Sequence, residues 1–577
     1  MNGGAIVAEI LSEHKVSHIF TLIGGHISPI LTESKKHGIK IIDVRHEVNA
    51  VFAADAVSRL TGRPGVAVVT AGPGVTNSVT ALINAKMAQS PLILIGGSSA
   101  TVLRGRGALQ DIDQVSLIRP AVKAVFTVKK NCDFIPALES AFATAVSDVP
   151  GPVFIECPID LLYDEALVRQ WYGVKSATDG RHTLRDRVIN WYLNRHLDRM
   201  FACDLGTMQH EPLPVSVPEF TPASAEQAVR LIEQSSRPLL IIGSQALLNP
   251  EHAGGLARAV GSLGIPVYLT GMARGLLGEK HPLQFHHKRT DALAQADLVV
   301  LAGEPCDFRL NYGRSFNPGA RIIAVNRDRH ELRLNLRPDL AVHGDPAQFL
   351  IACEGLLRTR WTGDSWERVL MDKERAREQE IEKLAGEKTD SINPLFLLEK
   401  IRSVMNETSV VVADGGDFVG TASYILRPGS PMTWLDPGVF GTLGVGAGFA
   451  MGAKALHPGS DVWLIWGDGA AGYGLVEFDT MVRHKIPVIA VIGNDAGWTQ
   501  IARDQVEYLK DDVATVLRYS DYHGVAEGLG ARGFLIQRPE QVEGVLRQAM
   551  EASRSGTPVL INAWIGKTQF RKGSISV

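Results

Sequence analysis

The sequence predicts an α/β protein built of three doubly wound parallel sheets, and three observations carry that prediction. Short apolar runs alternate with amphipathic stretches along almost all of the 577 residues. Parallel strands covered by helices on both faces read as near-continuous apolar runs, so this alternation is what βαβ units produce. The alternation also restarts twice, once after a proline-rich stretch and once after a charge-dense one. Finally, glycines cluster where apolar runs end, the place at which a strand hands over to a helix.

In chain order, the first unit (1–165) holds strand-like runs at His18 to Ile23, Ile41 to Val44, Gly65 to Thr70, Pro91 to Ile95 and Val153 to Glu156. A linker (166–222) includes a helical segment, Leu184 to Met200, whose tryptophan and tyrosine are available to dock on a neighbour, and an irregular stretch from Leu205 to Thr221. The second unit (223–350) has runs at Leu239 to Ile242, Val267 to Thr270, Leu298 to Ala302 and Arg321 to Val325. A charge-dense connector (351–390) reads as a solvated helix. The third unit (391–577) has runs at Val410 to Ala413, Val462 to Trp466, Val488 to Ile492 and Val559 to Ala563, and ends in a basic tail.

Composition narrows the function classes. A hydrophobic content of 45% over this length supports several cores and about three to four domains. A net charge of −3 provides no electrostatic basis for nucleic-acid binding, and no apolar run approaches the roughly 20 residues that span a bilayer. The expectation is a soluble, cytoplasmic protein. Five cysteines without CxxC spacing argue against a disulfide framework or a zinc site and suit a reducing compartment.

The densest chemistry lies between Trp466 and Gln500. One apolar run stops at Gly467-Asp468-Gly469, and the next ends in Asn494-Asp495-Ala496-Gly497. Two neighbouring strand ends would thus bring Asp468 and Asp495 to one sheet edge, suited to a hard cation such as Mg²⁺ beside a phosphate. Either half alone is ordinary turn chemistry. Together, a GDG turn followed after 24 residues by an Asn-initiated turn resembles the signature of the thiamin diphosphate-dependent enzymes. That resemblance implies metal ligation by Asp468, Asp495 and the Gly497 carbonyl, with Gly469 and Ala470 along the diphosphate. Position 495 usually carries a second Asn in that pattern, so Asp495 adds a negative charge.

The resemblance extends over nearly the whole chain and implies an N-terminal pyrimidine-binding domain, a central domain and a C-terminal diphosphate-binding domain. Arg45-His46-Glu47 precedes a small-residue helix, and VVTAGPGVTN (68–77) matches the family's glycine-rich turn. Glu47 is therefore expected to protonate the cofactor's aminopyrimidine, although an acid in a helix's first turn also suits the helix dipole. His26 and Gln110 match the substrate-side histidine and glutamine of benzaldehyde lyase-like enzymes and are expected to handle the substrate hydroxyl proton. In the third unit, the Gly441 carbonyl is expected to accept the aminopyrimidine N–H and Leu443 to wedge between the cofactor rings. Asp417 and Phe418 would lie along the diphosphate, although an acid there needs a partner.

Met272 and Arg274, with Asn326, Arg327 and Asp328, follow strands of the second unit, where doubly wound sheets bind nucleotides. The family supplies the occupants: ADP, coenzyme A, or the FAD that acetolactate synthases retain. The stretch 434–450 resembles the 2-hydroxyacyl-CoA lyases and oxalyl-CoA decarboxylases more than the pyruvate enzymes, which favours the coenzyme A branch over FAD. In that branch a C-terminal tail covers the thioester, with Arg571 and Lys572 suited to its phosphates.

The resulting expectation is a thiamin diphosphate- and Mg²⁺-dependent lyase. It would cleave 2-hydroxyacyl-CoA to formyl-CoA and an aldehyde or ketone, and run the reverse condensation. Animal members of that type begin with a membrane anchor, and none is expected here. Assembly as a homodimer or homotetramer is implied, with the pyrimidine and diphosphate domains meeting across a subunit boundary. Two alternatives stand beside it: a carboligase of the acetolactate synthase or benzaldehyde lyase kind acting on free 2-oxo acids or acyloins, and a non-catalytic nucleotide-binding or regulatory subunit.

Overall fold

A computed structural model describes residues 2–173, 184–208 and 211–572. Gly573 and Ser574 of the basic tail therefore lie outside the described residues, as do parts of the first linker. The chain divides into two compact units, one holding Met1–Ser58 and Arg63–Val215, the other Arg59–Gly62 and Ser216–Val577.

The first unit is organised on a six-stranded sheet of β1 (His18–Leu22), β2 (Lys40–Asp43), β3 (Gly65–Val69), β4 (Leu92–Ser98), β5 (Ala124–Thr127) and β6 (Val153–Pro158). Its order is β2-β1-β3-β4-β6-β5 and every pairing is parallel. The central strands β3, β4 and β6 are buried along their whole length, as their unbroken apolar sequences require. Helices Gly3–Glu13 and Phe134–Val146 cover one face, burying Ile6, Ile10, Phe134 and Leu138 against Val68 and Ile95.

The second unit contains two further sheets. One comprises β7 (Pro238–Ile242), β8 (Val267–Leu269), β9 (Gln284–Phe285), β10 (Leu298–Ala302), β11 (Arg321–Asn326) and β12 (Leu340–His343) in the order β12-β11-β10-β7-β8-β9. That is the 3-2-1-4-5-6 order of dinucleotide-binding sheets, with its switch point between β7 and β10. The other comprises β13 (Val410–Asp414), β14 (Trp434–Leu435), β15 (Val462–Gly467), β16 (Ile489–Asn494), β17 (Arg532–Ile536) and β18 (Val559–Trp564). Its order, β14-β13-β15-β16-β18-β17, repeats that of the first sheet strand for strand. All pairings in both sheets are parallel. The α/β fold of three doubly wound parallel sheets is as the sequence predicts.

Two expectations need correction. Cys132 and Cys203 are joined by a disulfide in the first unit. They stand 71 positions apart, so no local spacing marks them. Asn131 brings them together by donating from Nδ2 to the Cys203 carbonyl and accepting from the Cys203 amide at 3.2 Å. The other three cysteines are free and buried. The connector is indeed a helix, Asp364–Ala385, but it is not solvated all round. Trp366, Leu370, Ile381 and Ala385 are buried, Trp366 donates from Nε1 to the Pro238 carbonyl, and Glu374 accepts from the amides of His286 and His287. Its charge density had masked a narrow apolar stripe. Among the described residues, no helix is long and apolar enough to cross a membrane.

Candidate active site

In the first unit, chemistry-bearing side chains collect at the carboxyl ends of β1, β2 and β3. The chain leaves β2 and enters helix Glu47–Thr61 with Glu47 in its first turn, where free amides favour a carboxylate. Glu47 is buried and accepts a hydrogen bond from Asn77 Nδ2 at 3.0 Å. The intervening turn passes so close that a methyl group on Gly74 would sit 3.6 Å from Glu47 Oε1. Thr70, at the end of β3, touches that same turn and meets His26 Nδ1 through Oγ1 at 3.2 Å. Burial lowers the His26 pKa from its ordinary value, so the ring is neutral at neutral pH. It can then accept or donate a proton according to tautomer.

Gln110 joins the same group through the Gly72 turn. Its backbone adopts a left-handed φ of 62°, and a methyl group on Gly72 would lie 2.8 Å from the Gln110 carbonyl oxygen. Glu47, His26 and Gln110, scattered over the sequence, are thus linked by one ladder of contacts through Thr70, Gly72 and Gly74. Leu109 beside Gln110 is 82% exposed, so this loop presents an open apolar side chain next to the glutamine. Asn77 and Thr70 were not singled out individually from sequence, although both lie inside the glycine-rich stretch 68–77.

In the second unit, the corresponding ends of β13, β15 and β16 form the other group. Asp468 opens a short turn after β15 and accepts from the amides of Gly469 at 2.9 Å and Gly497 at 3.1 Å. The second contact ties the β15 and β16 ends together. Ala496 holds φ at 55°, and the loop is closed by Leu517 N to Ala496 O and Trp498 N to Thr515 O. Both carboxylates are buried. Burial, with the charge of Asp495 added, pushes Asp468 up to about 7, and burial raises Asp495 as well. Two buried acids that disfavour each other's ionisation are relieved by a shared divalent cation, so this donor set fits Mg²⁺.

The turn expected to hold the cofactor rings is anchored from below. Asp414, the last residue of β13, accepts from Gly444 N at 3.1 Å, Gly446 N at 2.8 Å and Trp466 Nε1 at 2.9 Å. Complete burial nevertheless pushes its pKa up to about 6. Gly441 has a φ of 64° and nothing within 4 Å of where a Cβ would stand, which leaves an open approach to its backbone. Leu443 packs over Gly415, whose φ is 71° and where a methyl group would collide with Leu443 and with Ala470, 2.7 Å from its Cβ. Phe418 lies against Gly493 of β16. Asp417 finds its partner in Arg503, which donates to it at 2.6 Å; Arg571 stands 3.8 Å from the same oxygen. Arg503 carried no sequence signal, because its pairing spans 86 positions.

The residues marked for a nucleotide behave differently. Arg274 is half-buried, donates to the Ser423 carbonyl at 2.8 Å and stacks over Trp434. Arg327 is buried in an ion pair with Asp345, Asn326 accepts from Gln245 at 2.7 Å, and the Asp328 amide donates to Asn326 Oδ1 at 2.7 Å. Met272 is buried and its amide bonds Ser244. At the switch point between β7 and β10 stand Ser244, half-buried, and Gln245 and Glu304, both buried. Glu304 accepts from Thr270 Oγ1 at 2.7 Å, with Arg309 at 3.5 Å. In the tail, Phe570 packs edge-on against Tyr424 and lies under Arg377, while Lys572 stands 3.7 Å from Glu507.

Comparison with known proteins places this geometry in context. Residues 1–117 match the thiamine pyrophosphate enzyme N-terminal TPP binding domain, residues 225–353 the central domain and residues 414–563 the C-terminal TPP binding domain. The chain is 49% identical to 2-hydroxyacyl-CoA lyase 2 of Danio rerio over 583 residues, covering 100% of this chain and 93% of that protein. The human protein of the same name is also 49% identical, over 584 residues, covering 100% and 92%. Acetolactate synthase large subunit IlvG of Mycobacterium tuberculosis is 32% identical over 568 residues, covering 97% and 95%. The chain belongs to the thiamine pyrophosphate enzymes.

Proposed function

We propose that this protein is a thiamin diphosphate- and Mg²⁺-dependent carbon–carbon lyase that cleaves 2-hydroxyacyl-CoA thioesters to formyl-CoA and an aldehyde or ketone, and catalyses the reverse condensation. The observation that carries the reading is likeness at 49% identity, along the entire chain, to proteins named 2-hydroxyacyl-CoA lyase 2. The Glu47, His26 and Gln110 group supports it.

Bound thiamin diphosphate supplies the carbon nucleophile and the electron sink for breaking the C1–C2 bond. The chain's own residues do the rest. Glu47, oriented by Asn77, holds the proton shared with the aminopyrimidine ring. Asp468, Asp495 and the Gly497 carbonyl hold the metal, and Gly469 and Ala470 border the diphosphate. Gly441 and Leu443 would hold the cofactor rings, with Asp414 fixing the turn that carries them. Asp417 and Phe418 line the diphosphate side, where Arg503 offsets the Asp417 charge. Neutral His26 removes the substrate's 2-hydroxyl proton, and Gln110 orients that hydroxyl by hydrogen bonding.

Arg571 and Lys572 would contact coenzyme A phosphates only by leaving Asp417 and Glu507. ADP or coenzyme A in the central domain is better received at the β7/β10 switch point, beside the half-buried Ser244, than by Arg274, which is bonded to the Ser423 carbonyl, or Arg327, which is buried against Asp345. FAD is disfavoured. The remaining parts of the reading are a homodimer or homotetramer and a cytoplasmic location.

The test is to incubate the protein with thiamin diphosphate and Mg²⁺ and either 2-hydroxyhexanoyl-CoA or pyruvate. Formyl-CoA with pentanal is the expected result. Acetolactate without formyl-CoA would instead favour the carboligase reading suggested by the 32% likeness to an acetolactate synthase subunit. Glu47→Gln should abolish turnover with the cofactor still bound; an unchanged rate would remove Glu47 from the mechanism, and no turnover of anything by the wild type would favour a non-catalytic subunit.

A further inference from the structure

We propose that Glu156 is a positioning residue for Gln110, pinning both ends of the loop that carries it; this rests on the role given to Gln110 above. Glu156 stands near the end of β6, is 4% exposed, and divides its two carboxylate oxygens between the flanks of one loop. Arg104 donates to Oε2 at 2.9 Å, and also to Ser98 Oγ at 3.0 Å. Gln114 Nε2 donates to Oε1 at 3.1 Å. Gln110 lies between these two anchors.

The stretch between the anchors is otherwise held by turn bonds of its own: Gly105 N to the Asp111 carboxylate at 2.5 Å, Arg106 N to the Leu103 carbonyl and Asp111 N to the Ala108 carbonyl. Gly105 and Gly107 sit at φ of 72° and 79°, Gln110 itself at 62°, and Leu103 and Leu109 are exposed. Such a segment has few buried apolar contacts, so its placement is set by its ends and by its contact with Gly72. Gln114 fixes that contact too. Its Oε1 accepts from Gly72 N at 3.1 Å while Nε2 reaches the Gly97 carbonyl at 2.9 Å. Gly97 in turn backs His26, since a methyl group there would lie 2.6 Å from His26 Cβ. The buried Glu156–Gln114 pair therefore references the Gln110 loop to the same strand ends that carry His26 and, through Gly72, Thr70.

A carboxylate suits this post better than an amide. It accepts at both oxygens, whereas a glutamine would aim an NH₂ at one of two donors. Glu156→Gln keeps the size and one of the two anchors, and so releases one end of the loop without emptying the core.

The experiment compares wild type, Gln110→Ala, Glu156→Gln and the double variant on 2-hydroxyhexanoyl-CoA, with amide hydrogen exchange over residues 103–113 measured alongside. Glu156→Gln is expected to lower kcat about tenfold or more, as small misplacements of a reacting group do. Its exchange in the loop should be faster, its cofactor affinity unchanged, and the double variant no slower than Gln110→Ala alone. Arg104→Met, which leaves Glu156 in place, should reproduce the faster exchange. Additive losses in the double variant, or unaltered exchange in both Glu156→Gln and Arg104→Met, would overturn the inference. Full activity in Gln110→Ala would instead remove the reading of Gln110 on which it stands.

Discussion

Arg503 donates a hydrogen bond to Asp417 at 2.6 Å, and both side chains are only 9% exposed. This pair answers the problem posed by an acid at the start of the helix Gly416–Ile425, near another buried acid, Asp495. Asp417 is thereby made electrically tolerable beside the diphosphate proposed to bind there. Removing Arg503 alone leaves the buried Asp417 charge with only Arg571, 3.8 Å away.

Arg503→Met is accordingly expected to cost about 3 kcal/mol of stability and to weaken binding of cofactor with metal. The double variant Asp417→Asn with Arg503→Met should recover much of that loss, since the orphaned charge is gone. Chemical denaturation of the three proteins checks this; a double variant as unstable as the single one would contradict it.

Mg²⁺ binding should depend on pH through Asp468. Its carboxyl is pushed up to about 7, so in the absence of metal the folded chain retains a proton there that the unfolded chain releases near pH 4. That carboxylate therefore costs stability as pH rises from about 4 to about 7, and Mg²⁺ offsets the cost above that range. Below pH 7, binding must expel the proton, and apparent affinity should fall by up to about tenfold per unit. Trp498, whose ring packs on Gly469, offers a fluorescence reporter. Asp495→Asn removes the neighbouring like charge and should move the midpoint to lower pH. An unchanged midpoint would show that burial alone sets it.

Gly415→Ala tests the bed of Leu443. The position has a φ of 71°, and the added methyl group would collide with Leu443 and Ala470. Strain of about 1–2 kcal/mol is expected from the backbone alone, with cofactor affinity falling because Leu443 must move. Calorimetric titration with thiamin diphosphate and Mg²⁺ measures the second effect, which should exceed that of Gly441→Ala, where space is open.

The Cys132–Cys203 bond closes a loop with a separation of 71 residues, worth about 4 kcal/mol in the chain-entropy account. Dithiothreitol should lower the unfolding temperature of the wild type and leave that of Cys132→Ser untouched.

Sequence periodicity located the sheet centres and overlooked edges. The strands it omitted, β5, β9, β12, β14 and β17, all sit at a sheet edge, β9 and β14 being only two residues long as well; of the edges only β2 carries a clear run. An edge strand is covered on fewer sides, so it needs no unbroken apolar run; β5 is half-buried throughout. Residues placed directly after strands with a clear apolar run, such as Glu47 after the edge strand β2 and Asp468 and Asp495 after the central β15 and β16, are readable because strand and turn are both local signals. Arg503, Glu156 and Cys203 are not, since their partners are fixed only when distant segments pack. The arginines at 274 and 327 mislead for a related reason: a basic residue after a strand looks available until its buried partner is known.

The first and third sheets share one strand order, and in each the polar groups stand after corresponding strands: His26 after β1 and Asp417 after β13, Thr70 after β3 and Asp468 after β15. Such agreement is what an ancestral gene duplication would leave behind. On that view one scaffold was copied, its interior kept, and its loops diverged, so that one copy became the proton-handling half and the other the half that grips an anion.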